Sequence, residues 1–372
     1  MLTIPHHLRH YGYYAAAAGK MHFLGQDQMH GWGERIGRDI SVKRDDSSLS
    51  HLAETVDPRR RATPNPEPGT GKWLQIKEIL NARVGEGYCG AQDRYSTDGA
   101  MQFLEEYFVG HAYDRNHTEP LLLAVSLNDP HYPFQCEEEL FSYYLTRVEP
   151  FFEELQENFD CSDQFKVKVG KDVTMRDVRR ATAAYYGQIE TVDRQYARVV
   201  DYLEEIGVLD DFVIVFLSDH GEMLGQKGLW EKQQFFEASV RVPFSITAPG
   251  GRLGAGRIVT ENVSLVDLFP TLCDLVDVPI PEGLQGRSLV PLMEGNVNGW
   301  QNEVYSELYQ RDGNGPSEMV KIDDLKYFRF KGREWPEQLF DLAADPDERH
   351  NVIDDPAYAK DLARLREKLD AF

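Results

Sequence analysis

The sequence predicts an α/β fold in which helices flank a mostly parallel sheet, with a small antiparallel-sheet subdomain near the C-terminus. Three observations carry that expectation. Leu121–Leu127 and Phe212–Leu217 are unbroken apolar runs of strand length, the pattern of strands buried on both faces. Met175–Ile206 is a long amphipathic stretch leading directly into the second run, so strand, helix and strand alternate as a doubly wound sheet requires. Residues 301–343 change character, because EVYSELYQ, SEMVKIDDLKYFRF and QLFDL are short alternating runs separated by turn residues. This places a main domain at 1–298 and the subdomain at 299–372.

Composition narrows the function. The chain has 372 residues, 41% of them hydrophobic and 27% charged, enough to bury a sizeable core. Its net charge of −22 argues against nucleic acid as a partner, since that binding rests on Lys and Arg neutralising phosphates. No apolar run reaches the ~20 residues of a membrane span, and MLTIPHHLRHYGYY has no signal-peptide pattern. Cys89, Cys136, Cys161 and Cys273 form no CxxC pair, which suits a reducing, cytoplasmic setting.

In chain order, Ile4–His10 reads as a short helix and Tyr13–Ala18 as a strand, after which GKMHF follows. If that strand's alternation continues, Lys20 and His22 share one side and suit an anion; a solvated lysine beside a structural histidine is the alternative. Residues 25–75 are loop-rich, and Arg59, Arg60 and Arg61 read as a solvated patch. Trp32 and Trp73 either line a substrate pocket, where an aromatic face attracts a quaternary ammonium, or simply pack these loops. Residues 95–108 read as a helix capped by Thr97 or Asp98. The strand at Leu121–Leu127 ends in Asn128, Asp129, Pro130 and His131, with Pro130 and Pro133 stiffening the loop. Asn116-His-Thr118 and Asn262-Val-Ser264 match glycosylation sequons, a pattern that often arises by chance. Val242–Thr247 is a further strand, Pro270 kinks the next helix or sits in its first turn, and a helix from Pro356 to Leu369 closes the chain.

The richest stretch is Asp211–Lys232. Ser218, Asp219, His220 and Gly221 follow its strand, at the end where open α/β sheets bind ligands. A carboxylate beside an imidazole there fits a metal or an anion site, and a turn cap beside an ordinary loop histidine fits as well.

Four separate strand or loop ends thus contribute GKMH, NDPH, SDHGE and LWEK. In order and spacing these resemble the sulfatase branch of the alkaline-phosphatase-like superfamily, whose members hydrolyse sulfate esters. RVPFSITAPG, LVDLFPTLCDL, GLQGRSLVPLM and QLFDLAADPDERHNV extend the likeness over nearly the whole chain, and GKMHFLGQDQMHGW is most similar to choline-sulfatase-like and phosphonate-monoester-hydrolase-like members. The resemblance implies an alkaline-phosphatase-like fold and a small-molecule sulfate ester as partner, and it leaves room for a homo-oligomer. It implies that Asp219 and His220 ligate one divalent metal, Ca²⁺ first, with Mn²⁺ or Mg²⁺ as alternatives. Lys20 and Lys232 would hold sulfate oxygens, His22 would orient the nucleophile, and His131 would protonate the leaving oxygen.

One departure stands out. The family's paired aspartates, and its Cys- or Ser-x-Pro-x-Arg motif that matures to the formylglycine nucleophile, are absent from these residues. Either the sequence is part of a longer sulfatase, the reading preferred here, or it is a shortened homologue without catalysis. In both cases the chain alone is expected to be inactive and poorly stable, because an uncovered parallel-sheet edge invites aggregation. Phosphonate or phosphate ester hydrolysis and non-catalytic anion binding are the competing functions.

Overall fold

The computed structural model describes residues 2–23, 27–37, 73–110, 118–151, 167–251, 253, 256–309, 316–330 and 337–372. By contact the chain divides into two compact units, Met1–Pro150 with Lys168–Phe212, and Phe151–Val167 with Val213–Phe372. Arg59–Arg61 and Asn116 and His117 of the first sequon lie outside the described residues, as does the side chain of Trp73.

In the first unit, α1 (Ile4–His10) begins where the Thr3 hydroxyl accepts from His6 N, with Pro5 in its first turn. Next come β1 (Tyr14–Gly19), β2 (Glu34–Ile36), α2 (Trp73–Leu80), β3 (Arg83–Val84) and α3 (Tyr88–Leu104), the last running into a π-helical turn at Glu105–Val109. Then follow β4 (Leu121–Ser126), β5 (Gln135–Cys136), α4 (Glu138–Leu145) and the 31-residue α5 (Met175–Glu205), which opens on a Thr174/Asp177 capping box. The sheet is parallel with order β2-β1-β4, and β1 pairs with β4 from Tyr14↔Leu121 to Gly19↔Ser126. Ala15–Ala18 are fully buried in β1, and their small side chains let helices approach the sheet. Phe103, Leu104 and Tyr107 of the α3 end pack there with Val199 and Leu203 of α5.

The second unit holds β6 (Ile214–Leu217), α6 (Glu237–Val240), β7 (Phe244–Thr247), α7 (Leu268–Leu275) and α8 (Val290–Met293). It ends with β8 (Glu303–Tyr309), β9 (Pro316–Ile322), β10 (Leu325–Arg329), β11 (Glu337–Asp341) and α9 (Ala359–Asp370). Strands β8–β11 form the expected antiparallel sheet, in order β11-β10-β9-β8. Leu362, Leu365 and Leu369 of α9 cover one cluster with Val320, Tyr327 and Leu339. A second cluster joins Met319, Phe328 and Phe340 of the sheet to Met223, Leu229, Phe235 and Phe236 of the loop after β6. That loop therefore shares its core with the C-terminal strands.

Several expectations need correcting. The strand expected at Phe212–Leu217 is the shorter β6, which pairs antiparallel with β7 and leaves Phe216 43% exposed. An apolar run marks a strand but does not choose its neighbour. Strand β4 is half-buried throughout, at an edge of the described sheet. Helix α3 starts at Tyr88, nine residues before the expected cap, because Thr97 Oγ1 donates back to Asp93 O inside the helix, as Ser96 Oγ does to Gln92 O. Of the two placements expected for Pro270, the first turn of α7 is the one found.

Candidate active site

In the first unit the parallel register brings two predicted residues to the same end of neighbouring strands. Gly19 faces Ser126 across the ladder, and Lys20 N donates to Ser126 O at 2.9 Å. Lys20 thus leaves β1 beside the loop Asn128–His131 that leaves β4. The expected alternation of Lys20 and His22 does not hold, since β1 stops at Gly19 (φ +88°) and His22 itself lies at φ +55°. His22 is exposed and held in a left-handed conformation that costs a non-glycine residue about 1–3 kcal/mol, a feature that clusters at functional positions.

The His131 loop is gripped by buried polar groups. From α3, Asp93 Oδ1 accepts from Asn128 N and Nδ2, both at 2.7 Å, and Asp93 Oδ2 accepts from Asp129 N at 2.7 Å. From α5, Gln188 Nε2 donates to Asp129 Oδ1 at 2.9 Å and reaches the His131 and Pro133 carbonyls at 3.4 and 3.2 Å. His131 Nδ1 lies 3.0 Å from Tyr132 O. Burial pushes the Asp93 carboxyl up to about 6 against the pull of its three donors and of Lys20. Burial, and then the Asp93 charge, push Asp129 well above the usual carboxylate range.

These two carboxyls set a prediction. A group whose folded pKa is raised contributes stability at acid pH that is lost as pH rises through the folded value. Asp129→Asn, close in shape to the protonated acid, should cost less than about 1 kcal/mol and should flatten the fall in melting temperature as pH rises above the ordinary carboxylate range. Asp93→Asn should instead cost about 2 kcal/mol, because its new amide faces backbone N–H donors. Equal losses for the two variants in thermal melts would contradict this assignment.

In the second unit Asp219 and His220 follow β6, and Gly221 N donates to Ser239 O at 2.8 Å. His220 Nδ1 is 2.8 Å from Gly221 O, an acceptor only, so the neutral ring carries its proton on Nδ1 and leaves the Nε2 lone pair that a metal ligand needs. That Nε2 lies 3.8 Å from Asp219 Oδ1. One carboxylate and one imidazole suit a divalent ion, yet among the described residues no third His, Cys, Asp or Glu joins them. The pair fits part of a metal site and does not make one alone.

Lys232 is half-buried between Glu231 and Gln233, which lie at φ +67° and +73°. Glu222 Oε1 winds this loop by accepting from Glu231 N at 2.6 Å and Leu224 N at 3.1 Å. Burial pushes the Glu222 carboxyl up to about 7 against those bonds. Sequence reasoning assigned no role to Asp93, Asn128, Asp129, Gln188 or Glu222. For Asn128 and Asp129 the hint was the polar cluster that ends the 121–127 strand, and for Asp93 and Gln188 it was a polar residue on a buried helix position.

The parallel sheet with its flanking helices and the four-stranded antiparallel C-terminal sheet are the elements of an alkaline-phosphatase-like fold. Residues 1–278 match the sulfatase family, and residues 225–372 match the N-sulphoglucosamine sulphohydrolase C-terminal family. The chain belongs to the sulfatase family, which comprises sulfuric ester hydrolases. Among curated proteins it is 32% identical to a choline-sulfatase of Rhizobium meliloti (strain 1021), over 98% of this chain and 69% of that one. It is 31% identical to an arylsulfatase of Clostridium perfringens, over 68% of this chain and 54% of the relative. It therefore spans about half to two thirds of these relatives' lengths. Among solved structures, the phosphonate monoester hydrolase of Agrobacterium radiobacter superposes with a TM-score of 0.69 at 25% identity, over 97% of this chain and 79% of that one.

Proposed function

We propose that this chain serves the hydrolysis of small sulfate esters. The observation that carries the reading is the placement of Lys20 and His131 at the same end of adjacent parallel strands, in a member of the sulfatase family. Lys20 and Lys232 neutralise sulfate oxygens, where a fixed cation opposes charge that grows as the ester bond breaks. His22 orients the nucleophile. His131 holds a proton at Nε2 and gives it to the leaving oxygen, ending as the Nδ1–H tautomer that the Tyr132 carbonyl accepts from. A divalent ion, Ca²⁺ before Mn²⁺ or Mg²⁺, would take Asp219 and His220 among its ligands and supply further positive charge. No Cys or Ser of these 372 residues stands in a Cys/Ser-x-Pro-x-Arg context, so the nucleophile is not one of them.

The test is to express the longest in-frame product that reads through Met1 and to assay an aryl sulfate and a phosphonate monoester in parallel. Faster sulfate release supports the reading. Faster phosphonate hydrolysis favours the second one, to which the Agrobacterium structure points. No turnover of either by a product that carries the nucleophile motif overturns both. In that product, His131→Ala should slow alkyl sulfates at least about a hundredfold and leave 4-nitrophenyl sulfate nearly unchanged, because nitrophenolate leaves without a proton. Equal losses on both substrates would remove His131 from the proton-donor role.

The three described cysteines, Cys89, Cys136 and Cys273, are buried free thiols, which supports work in a reducing compartment. Among the described residues no helix is long and apolar enough to cross a membrane.

A further inference from the structure

The His131 loop is held in a way that its own chain segment does not explain. Two helices reach it from different sequence regions, 35 positions upstream for Asp93 and 57 downstream for Gln188. Asp93 takes the two backbone N–H groups that enter the loop and the Asn128 amide, so both its oxygens are committed. Gln188 takes the exit side. Its amide nitrogen lies near the carbonyls of His131 and Pro133, and the carbonyl between them, that of Tyr132, is the one on His131 Nδ1. The three successive carbonyls thus split between two partners, the outer two facing the Gln188 amide that also donates to Asp129.

The approach of α5 permits this grip. Gly187 lies where any Cβ would run into the sulfur of Cys136, so the helix comes close enough for the neighbouring Gln188 to reach the loop. On the other side, a Cβ at Gly90 would stand 3.1 Å from Asp129 Oδ2, so the first turn of α3 packs on the same carboxyl. Asn128 and Gln188 are 4% and 1% exposed, and each spends its amide nitrogen on a carboxylate. Turning the Gln188 amide would set its oxygen against the backbone carbonyls of His131 and Pro133, which only accept, so its orientation is forced.

We propose that Asp93 and Gln188 are positioning residues for His131, clamping its loop from two helices so that the Tyr132 carbonyl holds the imidazole in the Nδ1–H tautomer and leaves Nε2 for proton transfer. The clamp determines which nitrogen can serve the leaving group. An imidazole with the proton on Nε2 in its neutral form would lose its carbonyl partner at Nδ1 and would be the wrong product of donating from Nε2. This inference rests on His131 as proton donor, but its geometry can be read without turnover.

The experiment uses the longest in-frame product that reads through Met1, labelled with ¹⁵N-histidine, with His131 assigned by comparison with His131→Gln. Long-range ¹H–¹⁵N spectra above the pH of imidazole titration report the tautomer directly. In the wild-type chain His131 should show the Nδ1–H pattern, and an Nε2–H pattern there overturns the proposal before any variant is made. In Gln188→Met, which keeps the volume but removes the donors, the pattern should collapse to the mixed tautomers of an unconstrained ring while the other histidines keep their shifts. Asp93→Asn should do the same from the other helix. A folded variant of either kind that retains the wild-type His131 pattern overturns the proposal, because a purely structural role would lower the melting temperature without moving the tautomer. Should His131 fail the leaving-group assay yet pass this one, the proton-donor role falls and the clamp stands.

Discussion

Lys326→Ala should destabilise the second unit by about 3–5 kcal/mol, because it strips the cation from one buried and one partly buried carboxylate. Lys326 is fully buried on β10; its Nζ lies 2.8 Å from Glu237 Oε1 and bonds Glu348 Oε1 as well. Burial pushes the Glu348 carboxyl up although Lys326 opposes it, while for Glu237 burial is outweighed and Lys326 holds the carboxyl below the usual range. The two directions differ because Glu348 is the more deeply enclosed. Glu348 Oε2 also accepts from Glu237 N at 2.7 Å, so the cluster secures the first residue of α6. Helix α6 in turn offers Ser239 O to Gly221 N, beside His220. Losing the lysine should therefore loosen the Asp219–Gly221 turn as well as the sheet. Urea midpoints measure the first effect, and a loss below about 1 kcal/mol would show that the pair is not energetically committed. Lys326→Met with Glu348→Gln should recover part of the loss, since an apolar replacement leaves no orphaned charge.

Gly19→Ala should cost about 3–5 kcal/mol, combining a left-handed backbone with a forced overlap. Gly19 lies at φ +88°, and a Cβ there would be driven into the Ser126 carbonyl oxygen, the acceptor for Lys20 N. That carbonyl is backbone in a paired strand and cannot step aside without parting β1 from β4. Gly12 is the control. It has nearly the same φ, +89°, with nothing within 4 Å, so Gly12→Ala should cost only the conformational share of about 1–2 kcal/mol. Equal melting temperatures for the two variants would mean that the overlap is relieved elsewhere. Anion binding should separate them further, because only the Gly19 variant displaces Lys20.

Much of this protein was legible before its structure. Ile4–His10 is a helix with the expected bounds, since a threonine cap and an early proline act locally. The strand ending at Ser126, the long helix from Met175 and the antiparallel tail were legible for a similar reason, because apolar period and length report how a segment buries itself. The start of α3 was misread. Thr97, one of the two expected caps, is instead buried inside the helix with its hydroxyl bonded back to Asp93 O, while the buried Asp93 reaches across to the 128–129 loop.

The sequence by itself determined the family, the alternation of strands and helices, and the residue types at the strand ends, because those follow from local pattern and from motifs that the chain carries intact. Only the tertiary structure decided that β6 pairs antiparallel with β7, that the loop bearing Lys232 shares its core with the C-terminal sheet, and that Asp93 and Gln188 hold the loop of His131. The physical reason is range. Pairing partners and buried polar bonds join residues tens of positions apart, and their energies depend on distances that no single segment contains.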